Sequence, residues 1–184
     1  MIQEGMKNLM MKAITIYQPY AKLLAIGAKQ FETRGWPTKY RGPIAIHASV
    51  KDPWQVINGL TTENKRRLLK FMHLFYGINC GEIGSFPRGA VIATAELVDV
   101  FDICEIGGVI VAEKQKRISK ERVDFLRITP TEQEIAFGDW RLGRYAWQLA
   151  NVRLLPEPIF VKGKQGLWNW EDPQIEEEIK NDQR

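Results

Sequence analysis

The chain has 184 residues and a mass of 21.2 kDa, enough for one domain with elaborations, and 45% hydrophobic residues suffice for a core. Two cysteines, Cys80 and Cys104, and two histidines give neither a disulfide framework nor a zinc-ligand spacing, so no metal and no cofactor are expected. Net charge is +4, but residues 171–184 carry −4 and the rest +8, a basic body that suits solubility or attraction to a polyanion such as RNA or a nucleotide.

No apolar run approaches the roughly 20 residues of a membrane span, and residues 1–10, read as a flexible leader, lack the apolar centre of a signal peptide. A cytoplasmic protein with no membrane contact is therefore expected. Residues 12–17 (KAITIY) alternate as a strand. Pro19 suits the first turn of a helix and Gly27 the residue past its last turn, which frames a helix over 19–26. A strand follows over 29–34, placing Glu32 and Arg34 on one face, with Trp36 next along and Phe31 opposite. Lys29 joins that face only if it lies in the turn before pairing begins. Glu32 and Arg34 are then either an ordinary surface ion pair or part of a pocket.

The turn GWPTKYRGP leads to residues 44–49, where Ile44, Ile46 and Ala48 alternate with Ala45, His47 and Ser49. His47 is read either as a strand histidine satisfied by backbone or as a ligand-facing group, and a hydrolytic pair with Ser49 is not expected. Residues 62–76 form the clearest helix, with Leu68, Leu69, Met72, Phe75 and Tyr76 on one stripe, Thr61 or Thr62 as cap, and a basic face. A glycine-rich bend precedes a strand over 90–102, in which Glu96 requires a bulge, an edge or a polar cavity. The stretch 103–130 reads as an insertion or mobile loop. Thr131 and Glu134 form a capping-box pair for a short helix that Gly138 ends. RYAWQL (144–149) is a strand with Tyr145, Trp147 and Leu149 on one face, and LLPEPIFV, interrupted by Pro156 and Pro158, is an edge strand. Trp147, Trp168 and Trp170 are assigned to the core, and 172–184 to an acidic tail, solvated as a helix or a frayed end.

The segment ITIYQPYAKLLAIGAKQFETRGWPTKYRGPIAIHAS resembles the ASCH domain family, a branch of the PUA-like folds, in its Q-P-[WY]-A start, its G-x-K-x-x-E-x-R run, a tryptophan and an R-G turn. GAVIATAELVDV, FGDWRLGRYAWQL and PIFVKGKQGLWNW are similar to later parts of the family, and the resemblance covers about residues 11–171. It implies an α+β, mostly antiparallel β-barrel with flanking helices, and a cleft with Lys29, Glu32 and Arg34 on one wall. Members are linked to RNA metabolism, coactivator complexes, ribonuclease activity and deacylation of a modified cytidine. In the amidohydrolase branch a threonine stands where this chain has Glu32, although the lysine corresponds to Lys29, so the resemblance implies that this hydroxyl is missing.

The leading expectation is an RNA- or nucleotide-binding module. Lys29 and Arg34 would engage phosphate or a carbonyl edge, Glu32 would orient them or accept from a base amino group, and an aromatic such as Trp36 or Trp140 would stack. Gln18, His47, Ser49, Glu96 and Tyr145 complete the expected ligand-binding set. Lys39, Arg41, Arg66, Arg67, Lys162 and Lys164 are expected at phosphates. Alternatives are a hydrolase of RNA or a modified nucleoside with Lys29 as base or electrostatic stabiliser and Glu32 or Glu96 shuttling protons, where the carboxylate beside the lysine opposes its acting as a base, and a protein-interaction module resembling the coactivator members.

Overall fold

The computed structural model describes residues 10–117 and 123–171. The leader up to residue 9, the tail 172–184 and residues 118–122, the second half of the basic run 113–122, lie outside them. The described elements are β1 (Met10–Ile16), α1 (Tyr20–Ala25), β2 (Phe31–Arg34), β3 (Gly42–Ala48), α2 (Pro53–Asn58), α3 (Thr62–Tyr76), α4 (Cys80–Ile83), β4 (Ala90–Ile106), β5 (Val109–Arg117), β6 (Val123–Ile128), α5 (Glu132–Ala136), β7 (Tyr145–Phe160) and β8 (Leu167–Glu171). The strands form one curled sheet in the order β2-β7-β4-β3-β1-β8, with β5 and β6 continuing from β4. All pairings are antiparallel except β1 with β3. The α+β architecture agrees with expectation; the sheet curls as a half-barrel whose end strands, β2 and β8, do not pair.

Periodicity explains most of these elements. In β3, Ile44, Ile46 and Ala48 face a core shared with Ile14, Ile16, Leu24 and Trp147. α3 begins where Thr61 accepts a hydrogen bond from the Asn64 amide at 3.3 Å and stops where Gly77 adopts φ +64°, a left-handed conformation that glycine takes without steric cost. Leu68 and Met72, one turn apart, are buried against Leu23, Ile57 and Phe137, with Leu69 and Tyr76 partly covered. Phe75 departs from the expected stripe: it is 64% exposed, and Phe71 takes its place in the core while stacking on it at 5.4 Å.

Two further expectations are corrected. Residues 103–130 are not an unstructured insertion in their described part. β4 runs on to Ile106, Gly107 and Gly108 turn with φ +60° and +81°, and β5 returns to pair with β6. Both residues of a tight two-residue hairpin need positive φ, which two glycines supply. LLPEPIFV is not a separate strand but the second half of β7, where the ladder to β4 skips from Leu154 to Ile159 and so accommodates Pro156 and Pro158. β2 covers only residues 145–148 of β7 on its other side, so that half still lies at an edge.

Candidate functional site

Because α1 ends at Ala25 and β2 starts at Phe31, Lys29 lies in the intervening turn, where its amide donates to the Leu23 carbonyl at 3.0 Å. Its side chain, 1% exposed, folds back on the strand. Lys29 Nζ donates to the Phe31 carbonyl oxygen and, at 3.0 Å, to Glu32 Oε2. Glu32 Oε1 lies 3.0 Å from Arg34 Nε; this is an ion pair by distance without hydrogen-bond alignment, since Nε remains without a hydrogen-bond partner. Arg34 Nη2 donates to the Thr15 carbonyl at 2.7 Å. The turn and β2 together thus carry a cation–anion–cation row, buried at Lys29 and Glu32 and half-buried at Arg34. Burial pushes the Glu32 carboxyl up, but Lys29, Arg34 and Arg144 together hold it below the usual carboxylate range.

The row floors a cavity of about 1440 Å3. Tyr20, also lining it, is held protonated, its phenol pushed up to about 12 by burial and then by the charges of Glu32 and Asp139. Asp139 pairs with Arg141 at 2.6 Å and with Arg144 at 3.4 Å, and Arg144 Nη2 donates to the Thr33 carbonyl at 3.1 Å. The far wall is the loop after β7. There Thr15 Oγ1 donates to the Lys164 carbonyl at 2.9 Å, and His47 Nε2 lies 3.0 Å from the Val161 carbonyl. A carbonyl only accepts, so Nε2 carries the hydrogen and the buried Nδ1, which has no partner among the described residues, is bare. Burial, opposed by the Val161 bond, lowers the His47 pKa, which keeps the imidazole neutral.

Gly163 closes over this histidine. A Cβ there would stand 2.4 Å from His47 Cε1, 2.7 Å from Nδ1 and 2.9 Å from Thr15 Oγ1. Gly163→Ala is expected to lift the loop, costing about 1–3 kcal/mol in a urea titration, while Gly166→Ala, with open space around it, acts only through its φ of +69°.

Of the residues expected from sequence, the cavity brings together Lys29, Glu32, Arg34, Trp36, His47, Ser49, Trp140, Lys162 and Lys164. Others stand elsewhere. Gln18 is fully buried beside α1, where its Oε1 accepts from the Lys22 amide at 2.9 Å and its Nε2 donates to the Pro87 carbonyl at 2.8 Å. Glu96 is exposed at a β4 bulge and accepts from Asn151 Nδ2 at 3.0 Å. Tyr145 packs against the central core. Arg41 pairs with Asp99 at 2.9 Å and Arg66 with Glu63 at 3.0 Å; these two, with Lys39 and Arg67, lie outside the cavity lining.

Nor are the two candidate stacking tryptophans free. Trp140 is 4% exposed, set edge-on to Phe31, and donates to the Glu134 carbonyl at 2.7 Å. Trp36 meets Trp147 edge-on at 4.6 Å and accepts its indole N–H through the backbone carbonyl at 3.2 Å. The capping box at α5 is half made. Thr131 Oγ1 accepts from the Glu134 amide at 3.2 Å, but the Glu134 carboxylate turns away to accept from the Gln30 amide at 2.6 Å. Sequence reasoning missed Thr15, Tyr17, Tyr20, Asp139, Arg141, Arg144 and Gly163; of these, the D-x-R-x-x-R spacing over 139–144 was a usable signal of a carboxylate shared by two arginines.

Over 86 residues the chain is 28% identical to Activating signal cointegrator 1 of Homo sapiens, a match that takes in 47% of this chain and only 14% of that protein. The crystal structure of a ZmASCH mutant protein from Zymomonas mobilis covers 92% of this chain and 96% of its own, at 13% identity and a TM-score of 0.41. The ASCH domain model matches residues 14–154, a span that holds the β2 charge row, the parallel β1–β3 pair and the Asp139–Arg144 wall: by that match over most of its length, the chain belongs to the ASCH domain family.

Proposed function

We propose that this ASCH domain binds single-stranded RNA or a nucleotide in a cationic cleft built around Lys29, Glu32 and Arg34. The observation that carries the reading is the charge of one cavity wall to wall: Lys29, Arg34, Arg141, Arg144, Lys162 and Lys164 against Glu32, Glu105 and Asp139. Lys29 and Glu32 are spent on each other, so their role is to hold Arg34, whose Nη1 makes no hydrogen bond among the described residues. Arg34, Lys162 and Lys164 then meet phosphate, the arginine through its Nη1 and the lysines as point charges. A cavity takes a splayed base of a single strand more readily than a duplex, which needs an element to enter its groove. Hydrolysis through Lys29 draws no support, because its ammonium is enclosed by Glu32 and the Phe31 carbonyl.

Fluorescence anisotropy with a labelled RNA oligonucleotide tests this. Affinity is expected to fall steeply between about 50 and 200 mM salt. Arg34→Ala should weaken binding at least about tenfold, as loss of a charge-assisted contact does, and Lys162→Ala with Lys164→Ala should flatten the slope by roughly 0.7 per lost contact. A salt-independent or absent interaction overturns the reading. The likeness to Activating signal cointegrator 1 supports a second one, a protein partner, which predicts capture that survives nuclease treatment.

A further inference from the structure

Of the inner charge row Lys29 and Glu32 are buried and Arg34 half-buried, and the surface a ligand reaches first is the rim above it. β1 and β3 are parallel, and β3 and β7 are both antiparallel to β4, so β1, β3 and β7 run the same way. Their C-terminal ends therefore discharge at one edge of the sheet: Tyr17 after β1, Ser49 to Lys51 after β3, and Val161 to Gly166 after β7. Backbone bonds tie these ends together, from the Ser49 amide to the Ile16 carbonyl at 2.8 Å and from the Val161 amide to the Gly89 carbonyl at 3.0 Å.

Tyr17 lines the same cavity and is 50% exposed, next to Val50 at 75%. Its ring carries Lys51 Nζ at 5.1 Å, while across the rim Lys164 Nζ stands 5.9 Å from the Trp168 ring. The three strand-end segments hold Lys51, Lys162 and Lys164 and no acid. A half-exposed aromatic ring among lysines that make no ion pair among the described residues has the chemistry of a base-stacking platform on a polyanionic strand, which neither Trp140, buried, nor Trp36, half-buried against Trp147, offers.

We propose that Tyr17, flanked by Lys51, is a second nucleotide subsite, so that the ligand is a single strand of at least two consecutive nucleotides and not a free mononucleotide. This rests on the RNA-binding reading: one nucleotide enters toward Arg34, and its neighbour stacks on Tyr17 with the linking phosphate near Lys162 or Lys164.

The test compares a labelled RNA oligonucleotide with a ribonucleoside monophosphate on wild type, Tyr17→Leu, Tyr17→Trp and Lys51→Ala. Tyr17→Leu keeps apolar bulk at an exposed position and loses the ring, so it is expected to fold and to weaken the oligonucleotide about 5- to 100-fold, with the salt slope unchanged. Tyr17→Trp should restore wild-type affinity, Lys51→Ala should reduce the slope, and monophosphate affinity should be the same in all four. An oligonucleotide held equally by wild type and Tyr17→Leu overturns the subsite and leaves the RNA-binding reading standing. Wild type that binds no RNA overturns that reading instead.

Discussion

Replacing Glu32 with glutamine is expected to destabilise the fold by about 3–5 kcal/mol, the cost of leaving a buried charge without its partner. Lys29 is 1% exposed and Glu32 8%, so neither charge can be returned to water without opening β2. Urea denaturation measures the loss, and Lys29→Met with Glu32→Gln should recover part of it, since removing both partners costs less than removing one. Acid titration separates the charge from the packing. The native pKa of Glu32 lies below its ordinary value of 4.5, so its contribution is complete above about pH 4.5 and lost as pH falls through the lower native value. Glu134 acts in the opposite sense. Burial raises its pKa, against the pull of Lys29, so the stability it contributes is present below 4.5 and lost as pH rises through its higher native value. Glu32→Gln should therefore remove the Glu32 share of the acid sensitivity, Asp99 and Asp139 keeping theirs, and reduce without abolishing the Glu134 slope, to which the Glu32 charge adds. An unchanged acid limb would show that the charge row contributes nothing to stability.

Trp147→Ala carries a cost of similar size, about 3–5 kcal/mol for truncating a buried aromatic. Trp147 is fully buried where β7 is paired on both sides, opposite Glu32 on β2 and Val100 on β4. Its indole fixes Trp36 by an edge contact and a hydrogen bond. Trp147→Phe retains most of the volume and loses the N–H donor, so it should cost less, about 1–2 kcal/mol of hydrogen bonding beyond the lost area. Because Glu32 is the direct cross-strand neighbour, Trp147→Ala should also weaken RNA binding, read by anisotropy at a temperature where the variant remains folded. Equal losses for the two variants would place the stabilisation in the hydrogen bond and not in packing.

How far these features were legible in sequence depended on whether a segment buries one face. α3 buries a stripe and has a threonine cap and a glycine stop, and its bounds are readable to the residue. β3 buries Ile44, Ile46 and Ala48 and is equally plain. β6 runs exposed along nearly its whole length, so no apolar period marks it, and 103–130 reads as loop although Gly107-Gly108 is a hairpin signal. The two prolines in β7 suggest a break that the β4 ladder absorbs. At the site, the i, i+2 alternation of β2 correctly joins Glu32 and Arg34, and the turn position of Lys29 follows from α1 ending where it does. Burial was not legible. Trp140 and Gln18 carry side chains suited to a ligand, yet both serve the interior, because what covers them comes from distant parts of the chain.

The common direction of β1, β3 and β7 separates scaffold from selectivity. The charge row belongs to β2, hydrogen-bonded to β7, and the turn before it, whereas the rim belongs to three short connections whose side chains leave the ladder. If the cavity takes a nucleic-acid strand as proposed, exchanging residues 17, 50–51 and 161–166 would retune which polymer is preferred without repacking the sheet beneath, so diversification among related chains is expected to concentrate at that border.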